Sequence, residues 1–190
     1  MSGSRARLFV ALELPRIARA ALAQWRGEQL GEIQGLALVD PSALHVTLCF
    51  LGSQPLEEVE AISSACARLS DQPRVALSLG ETLWLPRGRP HVVAIKLEDR
   101  RRRLADLQSE LSRALSGGGW YEPERRPFLA HVTLARVLHG VRVRPVDLPA
   151  PVPMSFPGTD LTLFRSHPGE VPAARYERLA RVRLGPERAG

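Results

Sequence analysis

The tetrapeptide His-Val-Thr-Leu occurs twice, at 45–48 inside "LHVTLCFLG" and at 131–134 inside "FLAHVTLARV". Each copy alternates apolar and polar residues with a period of two, the pattern of a strand half buried against a core. His45 and Thr47 therefore share one face, and Leu44, Val46 and Leu48 the other; His131 and Thr133 stand in the same way against Val132 and Leu134. At this chain's usage of the four residues, one copy arises by chance in roughly two chains per thousand, so accident is a poor explanation for a second. Two like strands 86 positions apart (131 − 45) imply two like halves. A pseudo-two-fold between them would set two imidazoles and two hydroxyls across one cleft.

The rest of the chain supplies the elements around that pair. "RLFVALEL", 7–14, reads as a strand, and Pro15 is a favoured first position for an alanine-rich helix through about Leu30. "PLEEVEAISSACARL", 55–69, carries acidic residues in its first turns and apolar residues at helical spacing, which predicts a second helix. "RVALSLGETLWLP" and "PHVVAIKLE" predict a hairpin about the turn-prone Arg87–Arg89. Residues 100–116 return to helical periodicity and stop at the glycines 117–119. A proline-rich connection, 145–157, then leads to strands in "DLTLFRS" and "RYERLARVRL". Hairpin strands with few helices argue for an α+β fold of antiparallel sheets and against a doubly wound parallel one. With 190 residues, 44% of them apolar, the chain is expected to form one domain, 1–190, of two lobes that share a core.

Composition excludes several classes. The apolar run 8–15 is short and broken by Glu13, which predicts no export signal, and no run approaches the 18 or so apolar residues of a membrane span. Cys49 and Cys66 form neither a disulfide framework nor a zinc-site spacing, so a reducing, cytoplasmic setting is expected. The charge of +6, arginine throughout except for Lys96, indicates tolerance of a polyanion and nothing more specific.

The repeated unit suits phosphate chemistry. An imidazole with an ordinary pKa of about 6.5 acts as acid or base near neutral pH. Opening a cyclic phosphodiester with water requires both roles at once, and the threonine hydroxyls can donate to the non-bridging oxygens. No metal is required by this arrangement. A single His-x-Thr on a strand is usually just a half-exposed β position; the second copy is what lifts the pattern above that reading.

On these residues the chain resembles the two-histidine phosphoesterases, and within them the LigT-like RNA 2',3'-cyclic phosphodiesterases. "RLFVALELP" is similar to the family's opening strand, "LHVTLCFLG" and "RPFLAHVTLAR" to its two motifs, and "LTLFRS…ARYERL" to its closing strands. The resemblance implies two lobes, each an antiparallel sheet with outer helices, that meet at a cleft lined by both motifs. It implies His45 as the acid that protonates a leaving 3'-oxygen and His131 as the base that activates water, with Thr47 and Thr133 holding the phosphate. It implies neither cofactor nor metal, a monomer that keeps away from membranes, and as partners RNA with 2',3'-cyclic phosphate ends and small cyclic nucleotides. The near symmetry of the site leaves the acid and base roles exchangeable, because the step also runs in reverse as a 2',5' ligation. A non-catalytic RNA-binding module is the reading from another class.

Phe50 and Arg136, each five residues after a histidine, stand where the family's substrate contacts are. Strict alternation would put both on the face opposite the histidines unless the strands bulge. Many relatives have proline before the second histidine; here Ala130 takes that place. His91, His139 and His167 lack partners in the pattern, the arginines 100–103 read as a solvated helix start, and Trp84 and Trp120 suit core packing or base stacking equally.

Overall fold

The computed structural model describes residues 4–169 and 175–186; residues 1–3, 170–174 and 187–190 of the expected 1–190 domain lie outside the described residues. Two antiparallel sheets carry the fold. In chain order the elements are β1 (Arg5–Glu13), α1 (Arg16–Leu30), β2 (Leu36–Leu38), β3 (His45–Pro55), α2 (Val59–Ala67), β4 (Val75–Leu85), β5 (Val92–Glu98), α3 (Arg103–Gly117), β6 (His131–Val137), β7 (Ser155–Gly158), β8 (Asp160–Ser166) and β9 (Tyr176–Arg183). The four-stranded sheet runs β3-β1-β8-β9 and the five-stranded sheet β2-β6-β5-β4-β7. The chain thus lays β1 and β3 in one sheet with β2 placed in the other between them, builds β4 to β7 in the second sheet, and returns to the first with β8 and β9.

One apolar core joins both sheets. Leu8, Val10, Leu12 and Leu161 of the first belong to the same buried cluster as Val93, Ile95, Val132 and Leu134 of the second. Helix α1 buries Ala18, Leu22, Trp25 and Leu30. Helix α3 buries Leu104, Leu107, Leu111 and Leu115 at spacings of three and four, which is the stripe its sequence predicts.

Several local features differ from the sequence reading. Pro15 is the N-cap of α1, one position before the helix. The segment 55–69 opens with a 3₁₀ turn, Leu56–Glu58, before α2. The arginine run does not start α3 by itself: the Asp99 carboxylate accepts the backbone N–H groups of Arg103, Leu104 and Ala105 at 3.0, 2.8 and 3.2 Å, supplying the negative charge that the helix dipole asks for. The proline-rich connection contains β7, which pairs with β4 through Ser155–Gly158 and buries Phe156. Proline is tolerated there because β7 lies at the sheet edge.

Candidate active site

The two motifs open their strands, β3 in one sheet and β6 in the other. In both, His and Thr are half-buried while the flanking Val and Leu are buried, so each pair faces the space between the sheets. The histidines are anchored alike. His45 Nδ1 lies 2.7 Å from the Ala43 carbonyl oxygen and His131 Nδ1 2.8 Å from that of Leu129, each two residues upstream. A carbonyl only accepts, so Nδ1–H donates in both, and Nε2 is the ring nitrogen left for other partners. The Thr47 hydroxyl donates to His45 Nε2 at 3.1 Å.

The strands also bulge alike, which resolves the parity of Phe50 and Arg136. Against β1, Thr47 pairs with Ala11 and Cys49 with Val10, so Leu48 is the extra residue. Against β5, Thr133 pairs with Ala94 and Ala135 with Val93, so Leu134 is the extra residue. Each bulge places two successive buried residues on the core side, Leu48–Cys49 and Leu134–Ala135, and returns the next side chain to the histidine face. Phe50, 44% exposed, and the exposed Arg136 therefore stand on that face. The displaced carbonyls find donors outside the ladder: Gln108 Nε2 reaches Leu48 O at 3.4 Å, and the Val39 N–H reaches Leu134 O at 2.8 Å. Before His131, the Ala130 carbonyl is held by the Leu97 N–H at 2.9 Å, so the missing proline does not leave this backbone loose.

The surroundings of the two histidines differ. His45 sits in an aromatic box, its ring centroid 4.9 Å from Phe9, 5.3 Å from Tyr176 edge-on and 6.1 Å from Phe164. Burial among these rings pulls its pKa down to about 4, and the positive fields of Arg136 and His131 add to the effect; the hydrogen bond to Ala43 and the charge of Glu13 oppose it without prevailing. Glu13 stands directly across the ladder from His45. Burial tends to raise its pKa, but Arg178, bidentate at 3.0 and 2.9 Å, and the Thr162 hydroxyl at 2.7 Å outweigh that and keep it ionised. Opposite His131 stands Lys96, which is paired with Glu81 and Glu98.

A cleft of about 1080 Å³ opens beside this pair, lined by Thr47, Phe50 and His131 and extending past Tyr121, Arg126 and Phe128. That is room for a nucleotide and more. Its far wall includes Arg87, Arg113 and His91, so His91 is exposed in the cleft wall; His139 is exposed in a turn, and His167 bonds to Glu177 at 3.0 Å. Both tryptophans serve the fold: Trp120 donates to Glu58 and Trp84 to the Val146 carbonyl, and both pack against the core. Burial pushes the thiols of Cys49 and Cys66 up to about 12, which leaves them inert packing groups. The aromatic box was not read from the sequence. Phe9 and Phe164 lie in strands buried on both faces, where continuous apolar runs mask the alternation.

Two antiparallel sheets, each carrying a His-x-Thr strand, with Thr47 of one and His131 of the other on the wall of the same cleft, are the architecture of a two-histidine phosphoesterase. The chain belongs to the 2'-5' RNA ligase superfamily, whose family model matches residues 14–170. It is 31% identical over 162 residues to the RNA 2',3'-cyclic phosphodiesterase of Escherichia coli K12, covering 84% of this chain and 86% of that protein. It is 35% identical over 140 residues to the protein of the same name from Thermus thermophilus, covering 68% of each. Among solved structures it is similar to E. coli LigT complexed with 3'-AMP, with a TM-score of 0.81 and 30% identity over 95% of this chain and 99% of that one. Among the described residues, no helix is long and apolar enough to cross a membrane.

Proposed function

We propose that this protein hydrolyses RNA 2',3'-cyclic phosphate ends to 2'-phosphates, with His45 and His131 as the proton-transfer pair. The observation that supports this reading is the duplicated geometry: two imidazoles anchored through Nδ1 on two matching bulged strands, with Thr47 of one strand and His131 of the other lining the same cleft. His131 Nε2 takes a proton from the attacking water while the 3'-oxygen leaves with a proton from His45 Nε2, and the bond broken is that between phosphorus and the 3'-oxygen. Thr47 and Thr133 donate to the non-bridging oxygens as charge builds there. Burial keeps His45 neutral in the free protein, and the negative charge of a bound phosphodiester restores its affinity for a proton. With that proton on Nε2, the imidazolium can pass it to the departing alkoxide.

Phe50 and Arg136 offer a ring face and a guanidinium plane to the terminal base. Small cyclic nucleotides are then minimal substrates. One chain supplies both motifs, so a monomer holds a complete site, and two buried free thiols suit a reducing cytoplasm. With a 5'-hydroxyl in place of water as the nucleophile, the same groups open a 2',3'-cyclic phosphate into a 2',5' linkage, the bond to the 3'-oxygen again being the one that breaks.

The test is steady-state turnover of a 2',3'-cyclic mononucleotide. His45→Ala and His131→Ala are each expected to lower kcat about a hundredfold to ten-thousandfold, the range for a lost general acid or base. Near-normal rates in both variants would remove the assignment. Unchanged, salt-sensitive RNA binding without turnover in the wild type would instead mark a binding module.

A further inference from the structure

A second, smaller pocket of about 400 Å³ lies beyond Phe50 and is lined by Arg5, Arg7, Ser53, Arg165, Ser166 and His167. Pairing explains its composition. Alternation along β1 places Arg5 and Arg7 on the same face as Phe9 and Glu13, the face that carries His45's aromatic box. Arg7 is opposite Ser53 on one side and Ser166 on the other, so the sheet brings one guanidinium and two hydroxyls into a single row. Arg5 is fixed by donating from Nε to Ser53 Oγ at 3.0 Å and from Nη2 to Ser53 O at 2.6 Å. Among the described residues, the ion pairs of this cluster go to one carboxylate: Glu177 lies 3.9 Å from Arg165 and 3.0 Å from His167. Three guanidiniums and an imidazole around one carboxylate leave a net positive pocket.

The pocket adjoins the candidate active site. The Arg7 guanidinium lies 4.8 Å over the ring of Phe50, and Phe50 lines the large cleft, so the two cavities share that wall. Along β1, Ala11 is opposite Thr47 and Arg7 stands four residues before it, about 13 Å away at strand rise. A cyclic phosphate is the last group of an RNA chain, so everything else in the substrate lies on its 5' side and leaves the site in one direction. The large cleft mixes rings and prolines with Arg87, Arg113 and Arg126, whereas the small pocket has no aromatic ring but His167 and is built mainly of guanidiniums and hydroxyls, groups suited to phosphodiester oxygens.

We infer that the Arg5–Arg7–Arg165 pocket binds backbone phosphate of the RNA strand a few nucleotides upstream of the cyclic end, making the protein selective for oligonucleotides over mononucleotides. This rests on the hydrolase reading above. The experiment compares kcat/KM for a 2',3'-cyclic mononucleotide and for a short RNA oligonucleotide ending in a 2',3'-cyclic phosphate, in the wild type and in the Arg5→Ala/Arg165→Ala variant. The expected result is a loss of about tenfold on the oligonucleotide, a salt dependence shallower by about one power, and mononucleotide turnover within about twofold of wild type. The intact mononucleotide rate doubles as the control for folding. Unchanged rates on both substrates would overturn the inference, and so would an equal loss on both, which would make these arginines supports of the site. If the wild type hydrolyses neither substrate, the hydrolase reading fails and takes the inference with it.

Discussion

His45 makes the acid stability of this protein calculable. In an unfolded chain its imidazole takes a proton below about pH 6.5, whereas in the fold burial delays this until about pH 4. Between those values the unfolded state holds the extra proton, so acidification favours unfolding; the stabilisation is complete above pH 6.5 and is lost as pH falls toward 4. A shift from 6.5 to about 4 at 1.36 kcal/mol per unit amounts to about 3 kcal/mol, with nearly half of it gone by pH 5.5. His45→Gln does not titrate and keeps the lowered carboxylates of Glu13, Asp40 and Asp160, whose own losses fall at still lower pH in both proteins. Urea unfolding at pH 7, 5.5 and 4 should therefore show the wild type losing about 3 kcal/mol more than the variant. An NMR titration of the His45 ring should place its midpoint near 4. Parallel stability curves, or a midpoint near 6.5, would refute the account of the aromatic box.

Other perturbations separate binding from chemistry and from folding. Phe50→Ala and Arg136→Ala should each raise KM on cyclic mononucleotides about tenfold, from the loss of ~1–3 kcal/mol of stacking, with a smaller effect on kcat; a KM unchanged in both would deny the bulge its role in presenting them. Asp99→Ala removes the acceptor for three N–H groups at the start of α3 and should reduce stability by about 1 kcal/mol, a fall of about 2–4 °C in Tm; an unchanged Tm would show that the arginine run does not need its cap.

The strands that build the candidate site were legible in the sequence, and so was the fold class, whereas several elements around them were not. The two His-x-Thr strands and the shared face of each His and Thr follow from alternation in two short segments, because a half-buried strand writes its faces directly into its residues, and the α+β class follows from the run of hairpin strands with few helices. The bulges at Leu48 and Leu134 were open to the sequence only as a condition, since a run such as Thr-Leu-Cys-Phe fits a regular strand as well as a bulged one. The edge strand β7 was hidden by its prolines, which mark a loop far more often than an edge. Strand β2 covers three residues and owes its existence to pairing with β6, a tertiary cause that local pattern does not record. Phe9, Phe164 and Tyr176 converge on His45 from three strands, and the depressed pKa that results depends on that convergence.

The central claim is that one duplicated motif performs both halves of a proton-transfer hydrolysis. Its most direct test is to incubate the protein in EDTA with an RNA oligonucleotide ending in a 2',3'-cyclic phosphate and to identify the product by mass and by the position of its phosphate. The expected product is a terminal 2'-phosphate that is lost with either His45→Ala or His131→Ala. A terminal 3'-phosphate, an absolute requirement for divalent metal, or full activity without one of the two histidines would contradict it.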